Sequence, residues 1–127
     1  MTPRTTTKAP AAPAELAAPG RKLWREVAGA YDLDVHERPI LAEACRLADR
    51  AAELEAAIEA DGLTVTGSAG QPRLNPAVAE VRQTRVALTR CLGAIAFPGE
   101  DGTPQKAANR HGRKAAVARW RGADGGA

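Results

Sequence analysis

The chain has 127 residues, with 18 Lys or Arg against 15 Asp or Glu, for a net charge of +3; that length leaves room for one small domain. Its four aromatic residues, Trp24, Tyr31, Phe97 and Trp120, are too few for a base-stacking platform, and two distant cysteines make neither a disulfide scaffold nor a zinc site. No stretch approaches the roughly 18 apolar residues of a membrane span, so no membrane partner is expected.

Charge is unevenly spread, at +3 over residues 1–30, −6 over 31–61, +3 over 62–99 and +3 over 100–127. Residues 1–20 are mostly Thr, Ala and Pro and lack the apolar run of a secretory signal. Such a segment buries too little to offset its ordering entropy and reads as a disordered tail. Residues 21–97 read as a helical core. Leu23, Trp24, Val27, Ala28 and Tyr31 fall at helical spacing after Pro19-Gly20, which predicts a short amphipathic helix over 21–31.

Asp34 with Glu37 three residues later has capping-box spacing, and Pro39 is tolerated only near a helix start. From there Ile40, Ala44, Leu47, Ala51, Leu54 and Ile58 step by 4, 3, 4, 3 and 4 residues, a heptad seam. Leu41, Cys45 and Ala48 widen it, and Asp61-Gly62 marks the stop. Residues 63–75, with alternating Leu63 and Val65 and turn formers Gly67, Gly70 and Pro72, predict either a small β-hairpin or an ordered loop. Asn75-Pro76 then restarts a helix, Asn as cap and Pro at its first position. Leu74, Val78, Val81, Arg85, Leu88, Leu92 and Ile95 repeat the heptad with one Arg in it.

Matching seams joined by a turn predict a long antiparallel helical hairpin, with Ile58 opposite Val78 and Cys45 level with Cys91. Both cysteines read as buried thiols, small hydrophobes without chemistry. The fold class is therefore all-α, a short helix plus a hairpin between disordered tails. The long helices are apolar on more than one stripe, with Leu41, Cys45 and Ala48 flanking the seam on one and Val86 and Ala87 on the other. The stripe that the hairpin leaves uncovered needs the first helix or a second copy. Self-association is therefore expected, with Trp24, Ile40, Leu47, Leu54, Val81, Arg85, Leu88 and Leu92 as oligomer or core residues. A lone Arg85 in a seam costs stability unless paired, and Glu55 or Asp49 is its expected partner.

Residues 98–127 open with F-P-G-E-D-G-T-P-Q from Phe97, which breaks any helix, and read as a flexible basic tail. Drawn as a helix, Lys106, Arg110, Arg113, Lys114 and Arg121 fall within about 100° of arc, with Arg119 beside them. The tail thus reads as a segment that folds on a phosphate backbone, or as a solvated basic tail. Arg21, Lys22 and Arg25 form a second cationic patch. An enzyme reading fails on inventory, because His36 and His111 are the only histidines and neither has a nucleophile or carboxylate at catalytic spacing. T-G-S-A-G-Q lacks the G-K-[ST] of a phosphate loop. The sequence implies no metal and no cofactor.

K-L-W-R-E-V at 22–27, E-R-P-I-L-A-E-A-C-R at 37–46, T-G-S-A-G-Q-P-R-L-N-P-A-V at 66–78 and V-R-Q-T-R-V-A-L-T-R at 81–90 carry a resemblance. In that order and spacing the chain resembles the small subunit of the terminase of tailed phages, in the group typical of actinobacterial phages and prophages. The resemblance implies a non-catalytic, homo-oligomeric ring of helical subunits acting in the cytoplasm of the bacterial host. It implies binding of double-stranded viral DNA at the packaging start, and delivery to a large terminase subunit holding the ATPase and nuclease. A helical-hairpin scaffold binding proteins only, and a small host DNA-binding regulator, are the alternatives.

Overall fold

The computed structural model describes residues 2–3, 9–98 and 104–106. Its elements are β1 (Thr2–Pro3), α1 (Ala18–Ala30), β2 (Tyr31–Asp32), α2 (Glu37–Asp61), β3 (Thr64–Thr66), β4 (Pro72–Leu74), α3 (Pro76–Ala94), β5 (Ala96–Pro98) and β6 (Pro104–Lys106). The strands form three separate antiparallel pairs, β1 with β2, β3 with β4 and β5 with β6. The helices carry the fold.

Helix α2 lies at the centre, with α1 and α3 both packed against it. Its first half buries Leu41, Ala42, Ala44 and Cys45, and α1 answers with Gly20, Trp24, Val27 and Ala28. Leu16, Leu33 and Ile95 close this cluster. Along the hairpin the expected seam is present in a shallower form. Ala44, Ala51, Val81 and Ile95 are buried, whereas the larger Ile40, Leu47, Leu54, Leu88 and Leu92 are half-buried. Ala44 and Ile95 in the seams are fully buried, and so are Leu41 and Cys45, which belong to the stripe that flanks the α2 seam. Because α2 has two partners, its fully buried apolar side chains larger than alanine, Leu41 and Cys45, serve the side that α1 covers.

Local chemistry explains the ends of the long helices. At the start of α2 the Glu37 carboxylate accepts from the Asp34 backbone N–H at 2.9 Å, one half of the expected capping box. At its end Gly62 adopts φ +86° and donates its N–H to the Ile58 carbonyl at 2.7 Å, a conformation that costs an L side chain and suits glycine. The connector is a β-hairpin, with Thr64 opposite Leu74, Val65 opposite Arg73 and Thr66 opposite Pro72. It pivots on Ala69, one residue later than the symmetric pairing of Ile58 with Val78 requires.

Asn75 locks the hairpin's base. Its side-chain oxygen accepts from the Ala77 N–H at 3.0 Å, capping α3, and its amide donates to the Gly62 carbonyl at 2.9 Å. Its backbone N–H donates to the Leu63 carbonyl at 2.7 Å. One buried side chain thus ties the last turn of α2 to the first turn of α3.

The ends differ from expectation where they are described. Helix α1 begins at Ala18, three residues before the predicted start. Residues 9–20, assigned to a disordered tail, pack on the helices. Leu16 is 3 % exposed, and the Trp24 indole N–H donates to the Pro10 carbonyl at 2.9 Å. At the other end Lys106 pairs opposite Ala96 in an extended strand, not in the first turn of a tail helix. Among the described residues, no helix is long and apolar enough to cross a membrane.

Replacing Asn75 with Ala removes the α3 cap and leaves the part-buried Gly62 carbonyl without its donor, so Asn75→Ala is expected to cost about 1–3 kcal/mol. Urea unfolding followed by circular dichroism measures it; an unchanged midpoint would contradict the lock.

Candidate nucleic-acid interface

The N-terminus of α1 lacks a cap of its own. Ala17 stands at the cap position without a side-chain hydrogen bond, and the first turn holds no acidic residue. Its orphan N–H groups are met from outside. Asp49, on α2, accepts the Ala17 N–H at 2.8 Å on one oxygen and the Gly20 N–H at 2.7 Å on the other. A carboxylate at the positive end of a helix also gains from the helix dipole. The approach is close: a Cβ on Gly20 would stand 2.7 Å from both the Asp49 carboxylate and the Cys45 carbonyl.

That seat decides what α1 shows to solvent. With Gly20, Trp24, Val27 and Ala28 turned to α2, helical spacing puts Arg21 at the edge of the buried face and Arg25 and Lys22 progressively farther round, and all three are exposed. None has an ion-pair partner among the described residues. Glu26, also exposed on α1, is the one carboxylate of that helix. The result is a compact cationic face about one and a half turns long.

Several carboxylates of the acidic helix are occupied elsewhere. Glu43 pairs with Arg46 at 3.4 Å and Glu53 with Arg50 at 3.6 Å, and Arg46 also reaches Glu15 at 2.8 Å. A backbone hydrogen bond first, and Arg46 second, hold the Glu15 carboxyl below its ordinary range. Glu55 pairs with Arg85 across the hairpin. Of the two partners proposed for Arg85 the structure selects Glu55, since Asp49 is committed to α1. Both side chains of that pair are about half-exposed, so Arg85 sits at the rim of the seam and the cost of a buried lone charge does not arise.

Helix α3 carries a second cationic face. A shallow trough runs along it past Val78, Val81, Arg82, Arg85, Val86, Thr89 and Arg90. Arg82 and Arg90 are exposed without an ion-pair partner among the described residues. Arg110, Arg113, Lys114, Arg119 and Arg121, with His111 and Trp120, lie outside the described residues.

Two further features carry thiol or metal-type donor groups. Cys45 and Cys91 are free thiols, and burial pushes the Cys45 pKa up to about 11, the wrong direction for a nucleophile. Asp34, His36 and Glu37 bring donor atoms within 4.8 Å of one another. The Glu37 carboxylate there already holds the Asp34 N–H, at the positive end of α2, an unfavourable place for a cation.

Asp49 as a cap, Leu16 as a core residue and the Trp24–Pro10 bond were not legible as contacts. A signal for the first did exist. Ala17-Ala18-Pro19-Gly20 starts a helix without Ser, Thr, Asp or Asn, so its free N–H groups require a distant acceptor.

The described residues define three helices, a long α-hairpin with a β-turned tip and a short cationic helix capped from α2. Residues 20–99 match the family described as phage terminase, small subunit, and the chain belongs to that family. The match begins at Gly20, where α1 is seated, and ends just beyond β5. Membership gives it a role in phage DNA packaging. No curated protein and no solved structure matches the chain.

Gly20 and Gly29 separate the close approach from helix propensity. Gly29→Ala, with nothing within 4 Å of the new methyl group, is expected to stabilise by up to about 1 kcal/mol. Gly20→Ala is expected to destabilise by about 1–3 kcal/mol, although both changes favour helix. Thermal unfolding of the two variants checks the sign of each.

Proposed function

We propose that this chain is the non-catalytic, DNA-binding subunit of a packaging terminase. Copies assemble into a ring in the host cytoplasm, recognise double-stranded viral DNA at the packaging start and deliver it to the large subunit, whose ATPase and nuclease they regulate. Family membership over 20–99 is the observation that carries this reading. The charge layout supports it, because carboxylates on α2 are engaged by Arg46, Arg50, Arg85 and the α1 terminus while Arg21, Lys22 and Arg25 share one solvent face.

In this reading the α1 cations contact phosphates, and the basic residues Lys106, Arg110, Arg113, Lys114, Arg119 and Arg121 add further charge on the same duplex. Neither group forms the array of bidentate donors that reads base edges. Their contribution is sequence-independent affinity. The large subunit and further copies of this chain are the protein partners, and no cofactor enters.

The self-association part of the proposal rests on less apolar surface than the sequence alone suggested. Helix α1 covers Leu41 and Cys45, and Ala48 is half-buried. Val86 on α3 stays 46 % exposed, and Leu63 and Leu74 at the connector stay more than half exposed. A helical scaffold that binds only proteins is the competing reading, and DNA affinity separates the two.

Gel-shift titration on duplex DNA at several salt concentrations provides the test. The full chain is expected to bind with a steep salt dependence. Arg21→Ala/Lys22→Ala/Arg25→Ala should lower the slope of log K against log salt by about 2.7, three phosphates' worth. Neutralising Arg110, Arg113, Lys114, Arg119 and Arg121 should lower it by about 4.5. A wild-type chain that shows no salt-sensitive binding would overturn the DNA-binding reading.

A further inference from the structure

The unpaired cationic face of α3 has a counterpart in the same molecule that it cannot reach. On α3, Arg82, Val86 and Arg90 follow one another at four-residue steps, all exposed, on the side away from buried Val81 and Thr84. On α2, Glu53, Ala57 and Asp61 follow at the same steps; Glu53 and Asp61 are exposed and Ala57 half-buried. Each triplet spans eight residues, about 12 Å of helix. One offers a branched apolar side chain between two cations, the other a small residue between two carboxylates. The α3 stripe lies outside the hairpin's own seam; on α2 Glu53 and Ala57 lie beside the seam, and Asp61 stands exposed at the helix end where the seam runs out.

We infer that the Arg82–Val86–Arg90 stripe of one copy docks on the Glu53–Ala57–Asp61 stripe of the next. This rests on the ring proposed above and names the faces that would close it. The interface uses different surfaces on its two sides, so it is heterologous, the kind that generates rings when the rotation closes. Closure requires that neighbouring copies sit at one height, with α3 of one antiparallel to α2 of the next.

The hairpin itself supplies a scale of levels, because Arg85 pairs with Glu55. On that scale Arg82 of one copy stands within about 5 Å of the height of Asp61 in the next, roughly one helical turn. Arg90 and Glu53 have the same offset. Arginine side chains span such a step.

Val86 then packs over Ala57, covering an apolar side chain left 46 % exposed in one chain. Glu53 is held within its own chain by Arg50 at 3.6 Å, with both side chains about two-thirds exposed. Exposed pairs of that kind are weak, so the carboxylate can accept from Arg90 of the next copy as well. Arg85 stays with Glu55 and keeps the hairpin's own register. Arg82 and Arg90 are left to the neighbour.

Sedimentation of the full-length chain at micromolar concentration tests this, with circular dichroism as a check on folding. The wild type is expected to sediment as a multi-copy assembly. Arg82→Glu/Arg90→Glu, and separately Glu53→Arg/Asp61→Arg, should each fall to the single-chain mass of 13.3 kDa with helix content unchanged. The chain carrying all four reversals should regain the wild-type mass.

A multi-copy wild type whose double variants keep their mass overturns these faces and leaves the ring standing. So does loss of assembly that the fourfold variant does not restore. Loss of helix in a double variant contradicts the placement of these residues on a free surface. A single-chain wild type removes the ring and this interface together.

Discussion

The two hydrogen bonds from Ala17 and Gly20 to the Asp49 carboxylate set the geometry on which the rest depends. A helix that starts at Ala18-Pro19-Gly20 has exposed N–H groups and no local acceptor, so by itself it is a poor helix of 13 residues. Asp49 satisfies that end and fixes where α1 begins along α2. Trp24, Val27 and Ala28 then fall over Leu41 and Cys45. The same placement turns Arg21, Lys22 and Arg25 to water. One buried contact and one charged face are two consequences of a single cap.

The acidity of α2 has a matching explanation. Residues 31–61 carry a charge of −6, which in isolation suggests a solvated face or a site for cations. In the fold five of those carboxylates have identifiable duties. Asp49 caps α1, Glu37 closes the start of α2, Glu55 steadies Arg85, and Glu43 and Glu53 pair along the helix. Individually the exposed pairs contribute little stability. Collectively they engage Arg46, Arg50 and Arg85, and the described cations left without an ion pair include Arg21, Lys22 and Arg25 on α1 and Arg82 and Arg90 on α3.

Much of this was legible before the structure. The heptad spacing located both long helices, and Asp61-Gly62 and Asn75-Pro76 marked where one ends and the other begins, because positive φ and a side-chain cap are demands that few residues meet. What periodicity could not say is how many partners a helix has. Ile40 and Leu41 are adjacent apolar residues, and only the arrival of α1 makes Leu41 the buried one. Composition misled at the N-terminus. An Ala-Pro segment has little to bury in total, yet one leucine and one carbonyl, Leu16 and that of Pro10, suffice to hold residues 9–17 against a helix that already exists. Asp49 was visible as a charge, and its role depended on a helix end 29 residues away in sequence. The cationic site was legible only as a composition, since which arginines are free follows from which carboxylates the fold has already used.

The claim that α1 is built into the core by the Asp49 cap is open to direct measurement by native-state hydrogen exchange. The amides of 20–30 are expected to exchange with protection close to that of 40–50 in α2, and Asp49→Ala should lower protection in α1 well before it does so in the hairpin. If instead the α1 amides of the wild-type chain exchange freely while those of α2 and α3 stay protected, α1 is not seated and the account of the cationic face fails with it.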